Sequence, residues 1–221
     1  MRLESLRAYQ RTVEAVRVHK FVSSHVLVIR TFKEMIEAGV PEKPDMHDHI
    51  RKYPWLLGIK YQPMDHEHSL KKVLDERFGI KVADEVGRKI PDVVVMRGGT
   101  DVLVIELKRP GVVVGTKELT QIKEYVDYLR HWLNSTNTEG LIGRNIQGDD
   151  VDGYLIAYDI KDDILVRAEQ NRLEKDGIRV CKWYDILAKT EDDHRNFLEI
   201  VKSRAPKDDP RIIELEEKKI V

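Results

Sequence analysis

The sequence predicts an α/β protein: a mixed central β-sheet flanked by helices, plus an N-terminal helical segment. Three observations predict it. Two strand-like stretches, Val93 to Met96 and Val102 to Leu107, flank Gly98-Gly99 and read as a β-hairpin. Glu118 to Leu133 then carries Leu119, Ile122, Val126, Leu129 and Leu133 at helical spacing. Beyond it, strand-like and helix-like stretches alternate. Hairpin, helix, strand, helix, strand is the order of a sheet whose faces are covered by helices.

Leu3 to about Ala38 is mostly helical in pattern: Leu6, Tyr9, Val13 and Val16 recur every three or four residues, as do Val22, Val26, Ile29 and Ile36. The valine-rich stretch Phe21 to Ile29 is able to break that helix or form a short strand. Gly39, Pro41 and Pro44 end the segment. Two readings of it stay open: a helical hairpin packed on the main domain, or a dimerisation or linker helix. Asp45 to Leu57 reads as a short helix stopped by Gly58. A hydrophilic stretch with Asp65-His66-Glu67-His68 follows, then a helix near Ser69 to Phe78. After the hairpin and its helix, Gly153 to Tyr158 reads as a buried strand and Ile164 to Glu174 as a helix. Ile178 to Trp183 reads as a strand, and Asp185 to Lys202 as a helix with a break near Glu191. The expected division is a helical segment over 1–40, a main domain over 41–203 and a charged tail over 204–221.

The charge balance narrows the function. With 38 basic and 39 acidic side chains, formal net charge is -1. A protein that coats nucleic acid is usually strongly basic, so phosphate binding here must come from a local patch or bound metal ions. Cys181 is the only cysteine, which excludes an internal disulfide and a CxxC zinc site. MRLESLRAYQRTVEAVRVHK has no signal-peptide core, and no apolar run is long enough to cross a membrane. The expectation is a soluble, cytoplasmic protein, in which the sequon Asn134-Ser135-Thr136 is a chance match.

The strand DVLVIELKRP (Asp101 to Pro110) ends in Glu106, Lys108 and Arg109 directly after its apolar body. Burying a charge without a partner is costly, so such a strand end calls for a partner, an ion or an open cleft. Strand side chains alternate faces, so Glu106 and Lys108 emerge together, on the face of Val102 and Val104. Asp92 opens the preceding strand, after Pro91. A loop of three residues (Gly98 to Thr100) or five (Arg97 to Asp101) sets Asp92 opposite Glu106. A two-residue Gly98-Gly99 turn puts Asp92 on the wrong face. Opposed residues have Cβ atoms only about 4.5–5.5 Å apart, and like charges there repel. Two carboxylates so close call for a cation, and oxygen ligands suit Mg²⁺ or Mn²⁺.

Pro91-Asp92, a hairpin-length gap and Glu106-Leu107-Lys108 resemble the PD-(D/E)xK nuclease signature. Gln121-Ile-Lys-Glu-Tyr125, two polar residues one helical turn apart, resembles the QxxxY motif of several families in that superfamily. Tyr53-Pro-Trp-Leu-Leu-Gly58 is similar to the NPWLLG segment of Shedu-type anti-phage nuclease domains, with Tyr53 where Asn is common. Ile105-Glu-Leu-Lys-Arg-Pro110 matches that family's IELKRP strand. Gly153-Tyr-Leu-Ile, and Ile178-Arg-Val ahead of Tyr184-Asp-Ile-Leu187, fit its C-terminal strands. The resemblance covers roughly residues 45 to 190.

It implies a restriction-endonuclease-like core and a metal-dependent DNA endonuclease acting in anti-phage defence or restriction. Asp92, Glu106 and the Leu107 carbonyl would hold Mg²⁺ or Mn²⁺. Asp92, Glu106, Lys108 and Gln121 form the catalytic set, with Lys108 orienting water or offsetting charge. Arg109, Lys123, Tyr125, Arg88 and Lys89 are the DNA contacts. Many members add a Glu from an early helix; Glu67, Glu85 and Asp48 are candidates, and the sequence does not choose. A homo-oligomer, and fusion or association with an ATPase or sensor domain, are the further partners implied. The alternative is a nuclease-like module that binds nucleic acid or a protein without cutting.

Other signals are weaker. His47, His49, His66 and His68 form two His-x-His pairs, a spacing that binds zinc, but without cysteine and across a loop-rich stretch. They read as surface residues, one of them a candidate for lining the cleft. Lys71-Lys72 read equally as a basic patch or a solvated face, and Arg77 is a candidate for the same patch. Trp55, Trp132 and Trp183 sit among apolar residues and read as core.

Overall fold

A computed structural model describes residues 20, 22–58, 61–66, 72, 74–75, 81, 91–97, 101–135 and 150–204. Expectations that lie outside these residues include the contacts of Arg88 and Lys89, the acids Glu67 and Glu85, His68, Lys71, Arg77, the Gly98–Thr100 loop and the tail beyond Arg204. The chain divides into two compact units: Met1–Met35 with Leu187–Val221, and Ile36–Ile186.

Helix α1 covers residues 22–38 and buries Val22, Val26, Ile29, Phe32 and Ile36, one apolar stripe at helical spacing. The valine-rich stretch therefore stays helical over its described part: burying a continuous stripe outweighs the small penalty of β-branched residues. In the first unit, Phe197 and Leu198 pack against Val22 and Val26.

In the second unit an irregular turn, Glu42–Met46, leads into α2 (His47–Lys52) and a 3-10 turn, Pro54–Leu57. The single helix expected over Asp45 to Leu57 is thus broken at Tyr53, whose backbone (φ -130°, ψ 61°) is non-helical ahead of Pro54. Strands β1 (Tyr61–His66), β2 (Val93–Arg97), β3 (Asp101–Leu107), β5 (Val151–Ala157) and β7 (Ile178–Lys182) form one sheet in the order β1-β2-β3-β5-β7. The first three are antiparallel neighbours, and β3, β5 and β7 run parallel. This is the mixed central sheet that the sequence predicts. Helix α3 (Thr116–Ser135) links β3 to β5, and α4 (Ile164–Lys175) links β5 to β7. Two-residue strands β4 (Val113–Val114) and β6 (Asp159–Ile160) pair in parallel.

Strand β1 corrects the hydrophilic stretch expected there. It lies at the sheet's edge and carries Pro63 beside a register shift, so it shows no clean alternation. Helix α5 (Trp183–Arg204) takes Trp183 from the expected strand and runs through Glu191 without the expected break.

All five apolar residues named for α3 are buried, with Val102 and Val104 of β3, Leu155 and Ala157 of β5, and Val166 and Leu173 of α4. Gly153 lets α3 approach β5. A Cβ there would stand 2.7 Å from Val126 Cγ2 and 3.3 Å from Ile122 Cγ1. Gly153→Ala is expected to destabilise the protein by about 1–3 kcal/mol through overpacking, seen as a lower urea midpoint. A midpoint at or above wild type counts against this close approach.

Candidate active site

The hairpin register decides the site. Arg97 pairs with Asp101 and Val93 with Ile105, which leaves three residues at the tip and sets Asp92 opposite Glu106. The expected juxtaposition is present. Asp92 is 3% exposed and Glu106 4%. Because α3 covers the face shared by Val102, Val104 and Glu106, Gln121 meets Glu106, with Tyr125 one turn on bonded to Gln121.

Glu106 Oε1 accepts from Lys108 Nζ at 2.6 Å and from Gln121 Nε2 at 2.7 Å. Gln121 Nε2 also donates to Tyr125 Oη at 3.0 Å, and its Oε1 accepts from Lys108 Nζ at 3.4 Å. The Gln–Tyr pair is therefore turned inward, with the Tyr125 ring buried, and it orients the carboxylate. Glu106 Oε2 is buried without a hydrogen-bond partner. Asp92 Oδ2 accepts the Leu107 amide at 2.8 Å, and Lys43 Nζ lies 2.8 Å from Asp92 Oδ1.

These contacts disturb protonation. Burial, then the Asp92 charge, pushes the Glu106 carboxyl up to about 7 against the pull of Lys108. Burial works against the Lys108 ammonium, but Glu106, Glu42 and Asp92 outweigh it and raise its pKa. Lys108 accordingly stays a cation. Burial raises Tyr125, and the nearby carboxylates add to it.

One acidic residue of the cluster escaped sequence reasoning. Burial and the Asp92 charge raise the Glu42 pKa, and its Oε2 accepts the Arg109 amide at 3.2 Å. Glu42 falls between Pro41 and Pro44 in what reads as a terminator, so neither spacing nor strand position marked it. Asp48, the early candidate that is described, stands outside the cluster: its side chain is 55% exposed and pairs with Arg51.

One of the four histidines departs from the surface reading. His47 is buried, 2% exposed, and its Nε2–H donates to the Asp92 carbonyl at 2.8 Å. As the first residue of α2 it reaches back to hold the entry to β2, which is core work, not surface work. His49 packs edge-on against Tyr53. Trp183 is core as expected, and its indole N–H also donates to the Lys108 carbonyl at 2.8 Å.

Of the other predicted residues, Leu107 is buried and its amide serves Asp92. Arg109 is exposed just beyond Lys108. Lys123 is not brought to the cluster: it pairs with Asp127 and faces Glu169 of α4, two residues and about 200° round the helix from Gln121.

The cluster suits a divalent cation. Three carboxylates influence one another, the oxygen donors are hard, and Glu106 Oε2 is a buried acceptor with no donor. Among the described residues no three His, Cys, Asp or Glu side chains close into a ready-made metal cage.

No protein-family model and no curated protein sequence matches the chain. Among solved structures it is similar to EndoMS complexed with double-stranded DNA, at 22% identity and a TM-score of 0.41, over 62% of this chain and 42% of that one. It is similar to a repair endonuclease from Pyrococcus abyssi at 23% identity and 0.40, over 65% and 47%. EndoMS in apo form gives 22% and 0.40, over 65% and 46%. The chain spans less than half the length of these proteins. Among the described residues no helix is long and apolar enough to cross a membrane.

Proposed function

We propose that this chain is a divalent-metal-dependent DNA endonuclease domain with a restriction-endonuclease-like, PD-(D/E)xK core. The observation that carries this reading is Glu106: buried opposite Asp92, held by Lys108 and Gln121 through one oxygen, and left without a donor on the other. Asp92, Glu106, the Leu107 carbonyl and Glu42 would hold Mg²⁺ or Mn²⁺. Such an ion, when bound, polarises the scissile phosphate and makes a bound water acidic enough to attack. Lys108 supplies a fixed positive charge against the charge that develops on the phosphate. Gln121, itself bonded to Tyr125, holds the Glu106 carboxylate in its orientation, and Arg109 is the exposed cation nearest in sequence for a neighbouring phosphate.

The Tyr53–Gly58 and Ile105–Pro110 segments support a Shedu-type domain in anti-phage defence or restriction, acting as a homo-oligomer with a fused or associated ATPase or sensor domain. A second reading draws on Lys43: its ion pair with Asp92 suits a module that binds nucleic acid or a protein without cutting. Incubating supercoiled plasmid with the protein and Mg²⁺ or Mn²⁺ separates the two. Metal-dependent nicking, stopped by a chelator, is expected. Intact plasmid, together with intact linear, single-stranded and RNA substrates, favours the binding module.

A further inference from the structure

We propose that Lys43 is a built-in competitor for the divalent cation: its ammonium holds Asp92 until a metal ion displaces it, so Lys43 sets the metal concentration at which the site fills. This rests on reading the carboxylates as a cation site.

Asp92 has one oxygen committed, Oδ2 to the Leu107 amide, and the other, Oδ1, faces Lys43 Nζ at 2.8 Å. A cation that takes Oδ1 must share it with, or expel, an ammonium already at hydrogen-bond distance. Sharing is unfavourable, because two cations on one buried oxygen repel. Expulsion is open to Lys43: its side chain is 45% exposed, against 4% for Asp92, on a flexible four-carbon stem. Lys108 differs in burial, with a side chain only 17% exposed beside Glu106. Among the described residues the cluster thus pairs a buried ammonium, Lys108, with an exposed one, Lys43. The exposed one follows directly on Glu42, itself coupled to Asp92, so a single turn brings both an acid and its rival to the site.

The test is Mn²⁺ titration by calorimetry on the full chain, with metal-free and Mn²⁺-bound melting temperatures. Lys43→Gln is expected to bind Mn²⁺ about three- to tenfold more tightly, the size of one partly exposed ion pair. It should melt lower than wild type without metal and gain more from Mn²⁺. Lys43→Arg should stay near wild type. So should Lys52→Gln, which removes one charge from the adjacent helix. In wild type, Mn²⁺ should speed acylation of Lys43 by an amine-reactive ester, read by mass spectrometry, whether or not Lys43→Gln folds. Equal affinity in Lys43→Gln and wild type, equal tightening by Lys52→Gln, or Lys43 labelling indifferent to Mn²⁺ would each overturn the proposal while leaving the nuclease reading intact. A wild type that binds no Mn²⁺ overturns both.

Discussion

Asp92→Asn and Glu106→Ala are each expected to leave supercoiled plasmid intact where the proposed endonuclease nicks it, a fall of about a thousandfold or more in rate. The size follows from what a metal ion contributes: several kcal/mol of charge stabilisation at the reacting phosphate, at a factor of ten per 1.4 kcal/mol. Both carboxylates come from one hairpin and lie opposite one another, so loss of either removes one of the two hairpin carboxylates. Calorimetry on the same variants separates the causes. Mn²⁺ binding should be lost along with cleavage. A variant that cuts at wild-type rate shows that its carboxylate is not a ligand, and a variant that binds Mn²⁺ normally but does not cut shifts that residue to another step.

Glu106→Gln is expected to be inactive and yet more stable than wild type at pH 8 without metal. The sign follows from the carboxyl's rise from 4.5 to about 7 on folding. Below about pH 4.5 both folded and unfolded chains carry the proton. As pH rises from there to 7, the unfolded chain releases its proton while the folded one retains it, so stability falls. Above 7 the penalty is complete, and at about 1.4 kcal/mol per pH unit it amounts to roughly 3 kcal/mol. An amide cannot ionise and escapes it. Urea unfolding with a chelator present, at pH 5 and pH 8, reads the difference: small at pH 5, large and in favour of Glu106→Gln at pH 8. Equal stability at pH 8 shows that the folded protein carries no such penalty. Mn²⁺ should reverse the order by favouring the ionised wild-type carboxylate.

The strand-borne half of this cluster was legible in the sequence because strands are local and periodic. Glu106 and Lys108 follow from alternation, Asp92 joins them only once the loop length that the sequence left open is fixed, and Gln121 with Tyr125 follows from helical spacing. Glu42, Lys43 and His47 were not legible. They belong to an irregular turn and a six-residue helix, and they reach the hairpin from 45 or more residues away. No local pattern encodes that return. Strand β1 escaped for a related reason: with Pro63 and a register shift at a sheet edge, it carries little of the alternation that marks a strand. The fold class was clearer than either, since buried runs such as Val102 to Leu107 have few places to go except a covered sheet.

Between Leu107 and Arg109 the main chain is anchored at every step: Leu107 N to Asp92, Lys108 N to the Ile156 carbonyl, Lys108 O to Trp183, Arg109 N to Glu42. These four ties run to four separate parts of the unit, and three involve side chains that a mutation could replace. The length of this short path is therefore as constrained as the Lys108 side chain it carries. One residue added or deleted would leave several anchors without their mates at once, so divergent versions of this protein should keep the residue count here unchanged.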